Sequence, residues 1–302
     1  MGFFPEGHEC MISRTKKASK DVLAKVATML QQNETFRKQA FPECSTNEQL
    51  QTELKTSSKE WNVLITDESL ALFTIRRSDK TATLDNLLVP TASNYVAVAS
   101  SFRNEFKAAK VDFLTLRVPE SLTDALTSNG FEKRRSLIRL TGPVVETKLM
   151  PILPLNNPTE HDLPLLAKLM YDSYEKALEP KLPTIANAEG ELRQILSGTH
   201  GDYLAEASFM SGASQNVVSA CFVTLSSKEE ARIVELFTHP LYRARGLATI
   251  EVVMSMNALT KLAVKRLTVV VGEKNDVSLR MFAKLGFTQD QKLVEMVLRL
   301  RP

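Results

Sequence analysis

The sequence predicts a two-domain α/β protein of the α+β kind, each domain a mixed, mostly antiparallel central sheet flanked by helices. Three observations carry this expectation. The chain has 302 residues, about twice the ~150 residues of a usual domain. Its last third runs strand, helix, strand, helix, strand in hydrophobic pattern. The first half follows the same order: Leu84–Pro90, a helix, Val111–Val118 and a helix ending Asn129-Gly130-Phe131 parallel Ile233–Pro240, a helix, Leu267–Gly272 and a helix ending Leu285-Gly286-Phe287. Few residues match between these stretches, so the pattern reads as a diverged duplication.

Residues 19–40 place Val22, Leu23, Val26, Met29 and Leu30 at helical spacing, with Asp21 near the start to satisfy free backbone N–H groups. Thr46 to Lys59 is a second, polar helix. Trp61–Thr66 and Leu70–Arg77 are dense in β-branched and apolar residues around a polar turn, which predicts a hairpin. Thr83–Val89 is a third strand, Asn94–Lys110 a helix, Val111–Val118 a strand, Glu120–Asn129 a short helix closed by Gly130, and Ser136–Leu140 a strand.

Between Val144 and Asn157, Pro151, Pro154 and two asparagines interrupt regular structure, so the boundary is expected near residue 145, dividing the chain into domains 1–145 and 146–302. Thr159 followed by Asp162 has capping-box spacing, and Leu163, Leu166, Leu169 and Met170 supply a buried helical stripe. Glu189–Leu196 is a short helix. Asp202–Phe209, Asn216–Leu225 and Arg232–Thr238 form an antiparallel meander. A loop at His239–Gly246, a helix at Leu247–Ala263, a strand at Leu267–Gly272, a helix at Val277–Lys284 and a strand at Leu293–Leu300 complete the chain.

Composition narrows the function. With 38 Lys+Arg against 35 Asp+Glu, the net charge of +3 is too small for sequence-independent nucleic-acid binding. No apolar run reaches bilayer-spanning length, so no membrane partner is expected. Met1–Cys10 lacks a signal-peptide pattern, which points to the cytoplasm. Cys10, Cys44 and Cys221 form neither a disulfide framework nor a zinc cluster, and His8, His161, His200 and His239 have no metal-ligand spacing, so no metal is expected.

The stretch from Ile233 to Ala248 carries the chemistry. An apolar strand leads through a short loop, Arg243-x-x-Gly246-x-Ala248, into a helix. The first N–H groups of a helix lack intrahelical partners and the macrodipole there is positive, so a loop of small residues lets a pyrophosphate approach the backbone. Gly246 permits that approach, Ala248 keeps the first turn uncrowded, and Arg243 and Arg245 add charge. About thirty residues later comes Asn275-x-x-Ser278-x-x-Met281-Phe282-x-Lys284-x-Gly286-Phe287.

These segments resemble, in order and spacing, the fourth strand, the R/Q-x-x-G-x-G/A loop and the N-x-x-A-x-x-L-Y-x-K-x-G-F segment of the GNAT superfamily of GCN5-related N-acetyltransferases. The resemblance is closest over residues 205–290 and extends from about 149 to 302. It implies a coenzyme A cradle, with acetyl-CoA as cosubstrate. The backbone of Leu236, Phe237 and Thr238 would pair with the pantetheine arm and hold the thioester oxygen. Arg243, Ala244, Arg245, Gly246, Leu247 and Ala248 would hold the pyrophosphate, and Asn275, Ser278 and Phe282 would border the cofactor channel. An amine would attack the thioester directly, with preorganised N–H donors for the oxyanion and Glu235 as base or amine-orienting group. Tyr171, Tyr174 and Glu175 are candidates for the acceptor pocket.

Two departures bear on mechanism. Phe282 stands where relatives carry a tyrosine able to protonate the leaving thiolate. In the first half the loop after Leu87-Leu88-Val89-Pro90 is only Thr91-Ala92-Ser93, without the glycine motif, so a degenerate domain lacking the anion site is expected there. The leading reading is an acyl-CoA-dependent N-acetyltransferase acting on a primary amine of a small molecule or protein. The alternatives are an acyl-CoA-binding regulatory module without turnover, which Phe282 favours, and a tandem aminoacyltransferase using charged tRNA, which the near-neutral charge and the intact loop disfavour.

Overall fold

A computed structural model of the chain describes residues 11–34, 37, 41, 44–56, 61–65, 70–78, 81–89, 98, 101–103, 106, 111–174, 184–213 and 216–301. The Met1–Cys10 segment with His8, the Thr91-Ala92-Ser93 loop, most of the expected helix over Asn94–Lys110, and Glu175 lie outside the described residues. Two compact units emerge: Met1–Ser136 with Leu293–Pro302, and Leu137–Lys292.

The first unit contains β1 (Met11–Arg14), α1 (Lys20–Gln32), α2 (Asn47–Thr56), β2 (Trp61–Ile65), β3 (Leu70–Ser78), β4 (Thr81–Leu88), β5 (Phe113–Pro119) and α3 (Thr123–Thr127). The strand order is β1-β2-β3-β4-β5, and the last strand of the chain, β13 (Thr288–Arg299), lies beside β5. Only β4 and β5 are parallel, in register from Thr81↔Phe113 to Leu84↔Leu116. Alternation along the strands feeds two cores. Val63 and Leu72 meet Leu23, Val26, Leu30, Leu50 and Leu54 on the α1/α2 face. Leu64 and Phe73 join Phe102, Phe106, Leu114 and Met296 on the other. Ser19, not Asp21, caps α1: its Oγ accepts from the Val22 N–H, because Ser19 has the extended backbone that cap geometry needs.

The second unit begins within β6 (Glu132–Pro143) and continues through β7 (Leu155–Asn156), α4 (Leu163–Ser173), α5 (Ile185–Leu196), β8 (Asp202–Tyr203), β9 (Phe209–Ala213), β10 (Asn216–Ser227), β11 (Glu230–Thr238), α6 (Leu247–Lys261), β12 (Arg266–Gly272) and α7 (Asp276–Lys284). Its strand order is β7-β9-β10-β11-β12-β6, with β8 pairing β10. This repeats the first unit's order and directions, with β11 and β12 as the parallel pair. In each unit the strand completing the parallel side is antiparallel to its neighbour: β6 from Leu137 on pairs β12, and β13 from Leu293 on pairs β5. Both β6 and β13 therefore start in one unit and finish in the other.

Thr159 and Asp162 form the expected capping box, which opens a short 3₁₀ turn before α4. The strand expected over Asp202–Phe209 is instead broken by a 3₁₀ turn at Ala205–Ala207. Ser208 causes the break: its Oγ donates to Leu204 O and accepts from Val223 N–H, replacing ladder bonds. One core lies under α6 and α7, including Ile233, Val252, Phe282 and Phe287. The other lies under α4 and α5, including Leu166, Met170, Leu192, Phe222 and Phe237. No helix among the described residues is long and apolar enough to cross a membrane.

Candidate functional site

The parallel register of β11 with β12 runs from Glu230↔Arg266 to Ile233↔Val269, whereas β11 continues to Thr238 and β12 to Gly272. Beyond Ile233 the two strands part. Leu236, Phe237 and Thr238 keep their pairing with β10 on one side, from Cys221↔Leu236 to Ser219↔Thr238. On the side facing β12 they have no ladder partner among the described residues. This is a strand edge held open inside a sheet, where an extended amide-bearing ligand can be received by backbone groups.

A bulge orients the acidic side chain of this strand. Phe222 pairs with Glu235 and Val223 with Ile233, so Val234 is an extra residue in β11. Ile233 and Leu236 pack toward the α6/α7 core, while Val234 and Phe237 pack toward α4 and α5. Unbroken alternation would set Glu235 on the face of Ile233. With the extra residue, Glu235 instead accepts a hydrogen bond from Tyr174, at the end of α4, over 2.8 Å between Oη and Oε2. Tyr171 and Tyr174 both lie half-buried against the α4/α5 core.

The loop after β11 is tightly shaped. His239 Nδ1 accepts from the Leu241 N–H and opens a 3₁₀ turn, Pro240–Tyr242. Ala244 and Gly246 then take left-handed backbone, with φ of 58° and 79°. For alanine that conformation costs about 1–2 kcal/mol, strain of the kind that clusters at ligand-binding turns. Gly246 is the N-cap of α6 and offers no capping side chain. Apart from its chain neighbours, a Cβ there would meet no described atom within 4 Å, so the turn is open on that side. Leu247 is buried and anchors that first turn, with Ala248 half-buried beside it.

The two loop arginines differ. The Arg243 guanidinium donates to Ser173 O at 2.5 Å and to Thr238 O at 3.3 Å, tying the end of α4 to the end of β11. Arg245 lies over the Tyr242 ring at 5.1 Å, donates to Leu241 O, and is exposed. Arg245 thus presents charge at the mouth of the loop, and Arg243 builds its floor.

On α7, Asn275 is the N-cap, its Oδ1 accepting from the Ser278 N–H at 3.1 Å. Phe282 is 1% exposed and its ring lies 5.0 Å from that of Phe287. The structure therefore brings Glu235, Leu236, Phe237, Thr238 and the Arg243–Ala248 loop together around the end of β11. Asn275 and Ser278 are used in capping α7, and Phe282 in its core.

Sequence reasoning missed one residue. Glu251, on the second turn of α6, is fully buried and accepts from Ser211 Oγ at 2.6 Å and Ser219 Oγ at 2.8 Å. Burial raises its pKa to about 8, against the opposing effect of those serine hydrogen bonds. The signal was a lone carboxylate inside the apolar run from Leu247 to Met256, set between Leu247 and Ser255 at four-residue spacing on the buried side.

Comparison with known proteins bears on the fold. Residues 211–295 match the family model described as FR47-like protein. No curated protein matches the chain by sequence. A GCN5-related N-acetyltransferase from Sphaerobacter thermophilus is similar in structure over 99% of this chain and 98% of its own, with a TM-score of 0.65 at 12% identity. A tandem GNAT protein from the clavulanic acid biosynthesis pathway is similar over 97% and 99%, at 0.61 and 13%. A Drosophila protein is similar over 97% and 99%, at 0.58 and 11%. With two units of one strand order, an FR47-like segment over the second, and likeness to tandem proteins along nearly its whole length, the chain has the fold of the GCN5-related N-acetyltransferases in its tandem form.

Proposed function

We propose that the second unit transfers a short acyl group, acetyl first among them, from coenzyme A to a primary amine by direct attack. The observation that carries this is the parting of β11 from β12 beyond Ile233, directly ahead of the Gly246 turn with its open space and uncapped helix start. A pantetheine arm fits the first as an added strand, and a pyrophosphate fits the second. The fold is that of a GCN5-related N-acetyltransferase and of a tandem GNAT protein, which supports acyl transfer as the class of reaction.

In this reading the open backbone of Leu236–Thr238 orients the thioester and offers an N–H to the developing oxyanion. Glu235, steadied by Tyr174, orients the ammonium group and takes up its proton, because an amine must be neutral to attack. Gly246, Leu247 and Ala248 supply N–H groups to the pyrophosphate, and Arg245 supplies charge. Asn275 and Ser278 hold the start of α7 in place. The first unit, whose sequence lacks the glycine motif after β4, shapes the protein without binding acyl-CoA.

A second reading, an acyl-CoA-binding module without turnover, is favoured by Phe282, which is buried and carries no proton to give the leaving thiolate. Calorimetric titration of acetyl-CoA, followed by thiol-release assays over a panel of amines, separates the two. Binding with acylation of at least one amine supports the enzyme. Binding without acylation of any amine supports the module. Gly246→Glu should abolish binding, because its carboxylate would occupy the pyrophosphate space; unchanged affinity would remove the loop from the site.

A further inference from the structure

The carboxyl of Glu251 sits behind the end of β11 in a chain of hydroxyls. Ser211 Oγ from β9 lies 2.6 Å from Oε1 and Ser219 Oγ from β10 lies 2.8 Å from Oε2. Ser219 Oγ is also 2.8 Å from Thr238 Oγ1 and 3.2 Å from Phe237 O. Every member except Thr238 is buried, and Thr238, the last residue of β11, is half-buried.

Ser219 has one proton and three acceptors within reach, so the state of Glu251 decides where that proton points. When Glu251 is ionised, both its oxygens accept, Ser219 donates to Oε2, and the Thr238 hydroxyl must turn inward to donate to Ser219. When Glu251 carries a proton on Oε2, it donates to Ser219 Oγ. Ser219 then donates to Thr238 Oγ1, the nearer acceptor at 2.8 Å against 3.2 Å for Phe237 O, and the Thr238 proton points outward. The two arrangements differ by one proton, bound at Glu251, and no covalent bond other than O–H is involved.

We propose that Glu251 is a positioning residue whose proton, relayed through Ser219, turns the Thr238 hydroxyl outward as a hydrogen-bond donor to the acyl-CoA arm. The proposal rests on the reading of β11 as the acyl-CoA strand. The surroundings of Glu251 favour the protonated form at neutral pH: burial raises its pKa to about 8 and the neighbours are hydroxyls. Of the elements packed against α6, β10 faces it with Cys221, whose thiol burial keeps un-ionised, β9 with Ser211 and β11 with Thr238. Glu206, on the Ala205–Ala207 turn, is exposed. A buried carboxylic acid kept neutral so that it can donate is an established way to orient a polar site.

The test is the affinity of the full chain for acetyl-CoA, measured calorimetrically from about pH 7 to about pH 9.5, a window above the second ionisation of its phosphate near pH 6. The wild type should lose affinity about three- to tenfold as pH rises through about 8, the factor expected for one hydrogen bond. Glu251→Gln, whose amide donates to Ser219 at every pH, should stay at the tight plateau. Thr238→Val should stay at the weak one, and as a substitution at a half-buried strand end it does not depend on the buried cluster for folding. A flat wild-type profile with measurable binding overturns the relay alone. An unchanged pH transition in Thr238→Val also overturns it. Failure of the wild type to bind acetyl-CoA at any pH overturns the acyl-CoA reading and the relay with it.

Discussion

The Tyr174 hydroxyl donates to Glu235 Oε2 at 2.8 Å, joining the end of α4 to the bulged middle of β11. This bond fixes the carboxylate where a backbone irregularity has aimed it. Tyr174→Phe should therefore lower kcat/KM for the amine about tenfold, the loss expected for one hydrogen bond to a charged group. Acetyl-CoA affinity should not change. Glu235→Gln should lower kcat by about a hundredfold or more, as for loss of a general base. Steady-state kinetics at saturating acetyl-CoA check both. If Tyr174→Phe leaves amine kinetics untouched, Glu235 is not the amine-facing group.

Arg243 was expected to act as charge for a phosphate, yet its guanidinium reaches Ser173 O and Thr238 O. Arg243→Lys distinguishes the roles, because lysine keeps the charge and loses the planar, two-pronged donor. We expect the lysine variant to lose about 1–2 kcal/mol of stability and to raise KM for the amine, since Ser173 directly precedes Tyr174. A variant with normal melting temperature and normal KM for the amine would return Arg243 to the phosphate.

Gly142 lies in β6 against the Phe287 ring, and a Cβ there would come within 2.6 Å of it. Phe287 is itself held against Phe282 and cannot give way cheaply. Gly142→Ala should destabilise the second unit by about 1–3 kcal/mol through overpacking. The melting detected by circular dichroism should gain an earlier phase. No earlier phase would mean that Phe287 shifts freely.

What the sequence made legible was local. The Thr159/Asp162 capping box, the Arg243-x-x-Gly246-x-Ala248 turn and the meander from Asn216 to Thr238 each depend on residues a few positions apart, and each formed where the pattern put it. The site's finer placement depends on longer reach. The extra residue at Val234 carries no compositional mark, because Val234 and Glu235 could equally continue a plain alternation. The partners of Arg243 and Glu251 come from 70 and 40 residues away, a serine carbonyl and a serine hydroxyl. The crossing of β6 and β13 between units escaped for a similar reason. Their paired parts are similar apolar runs broken by one or two polar residues, Leu137-Ile-Arg-Leu-Thr141 and Leu293-Val-Glu-Met-Val-Leu298, so either parallel pair could have accepted either of them.

Glu295 is a buried carboxylate ringed by arginines of its own unit. It lies on β13 within the first unit, 3% exposed, with Arg117, Arg135 and Arg134 at 3.4, 3.2 and 3.6 Å. Burial pushes its carboxyl up, and the three guanidinium groups outweigh that and hold it below its ordinary value. A folded pKa below the unfolded one means that Glu295 stabilises fully above the unfolded value, about 4.3, and that this contribution is lost as pH falls through the folded value. Glu295→Gln leaves the arginines facing one another around a neutral amide. It should destabilise the first unit by about 2–4 kcal/mol at pH 7, below the largest buried-pair losses because Arg134 is half exposed. Urea unfolding followed by the fluorescence of Trp61, the sole tryptophan of the sequence and buried in the first unit, checks it. The gap between wild type and variant should narrow steadily below about pH 4. A gap that stays constant with pH would show that the destabilisation comes from packing around β13 and not from the charge.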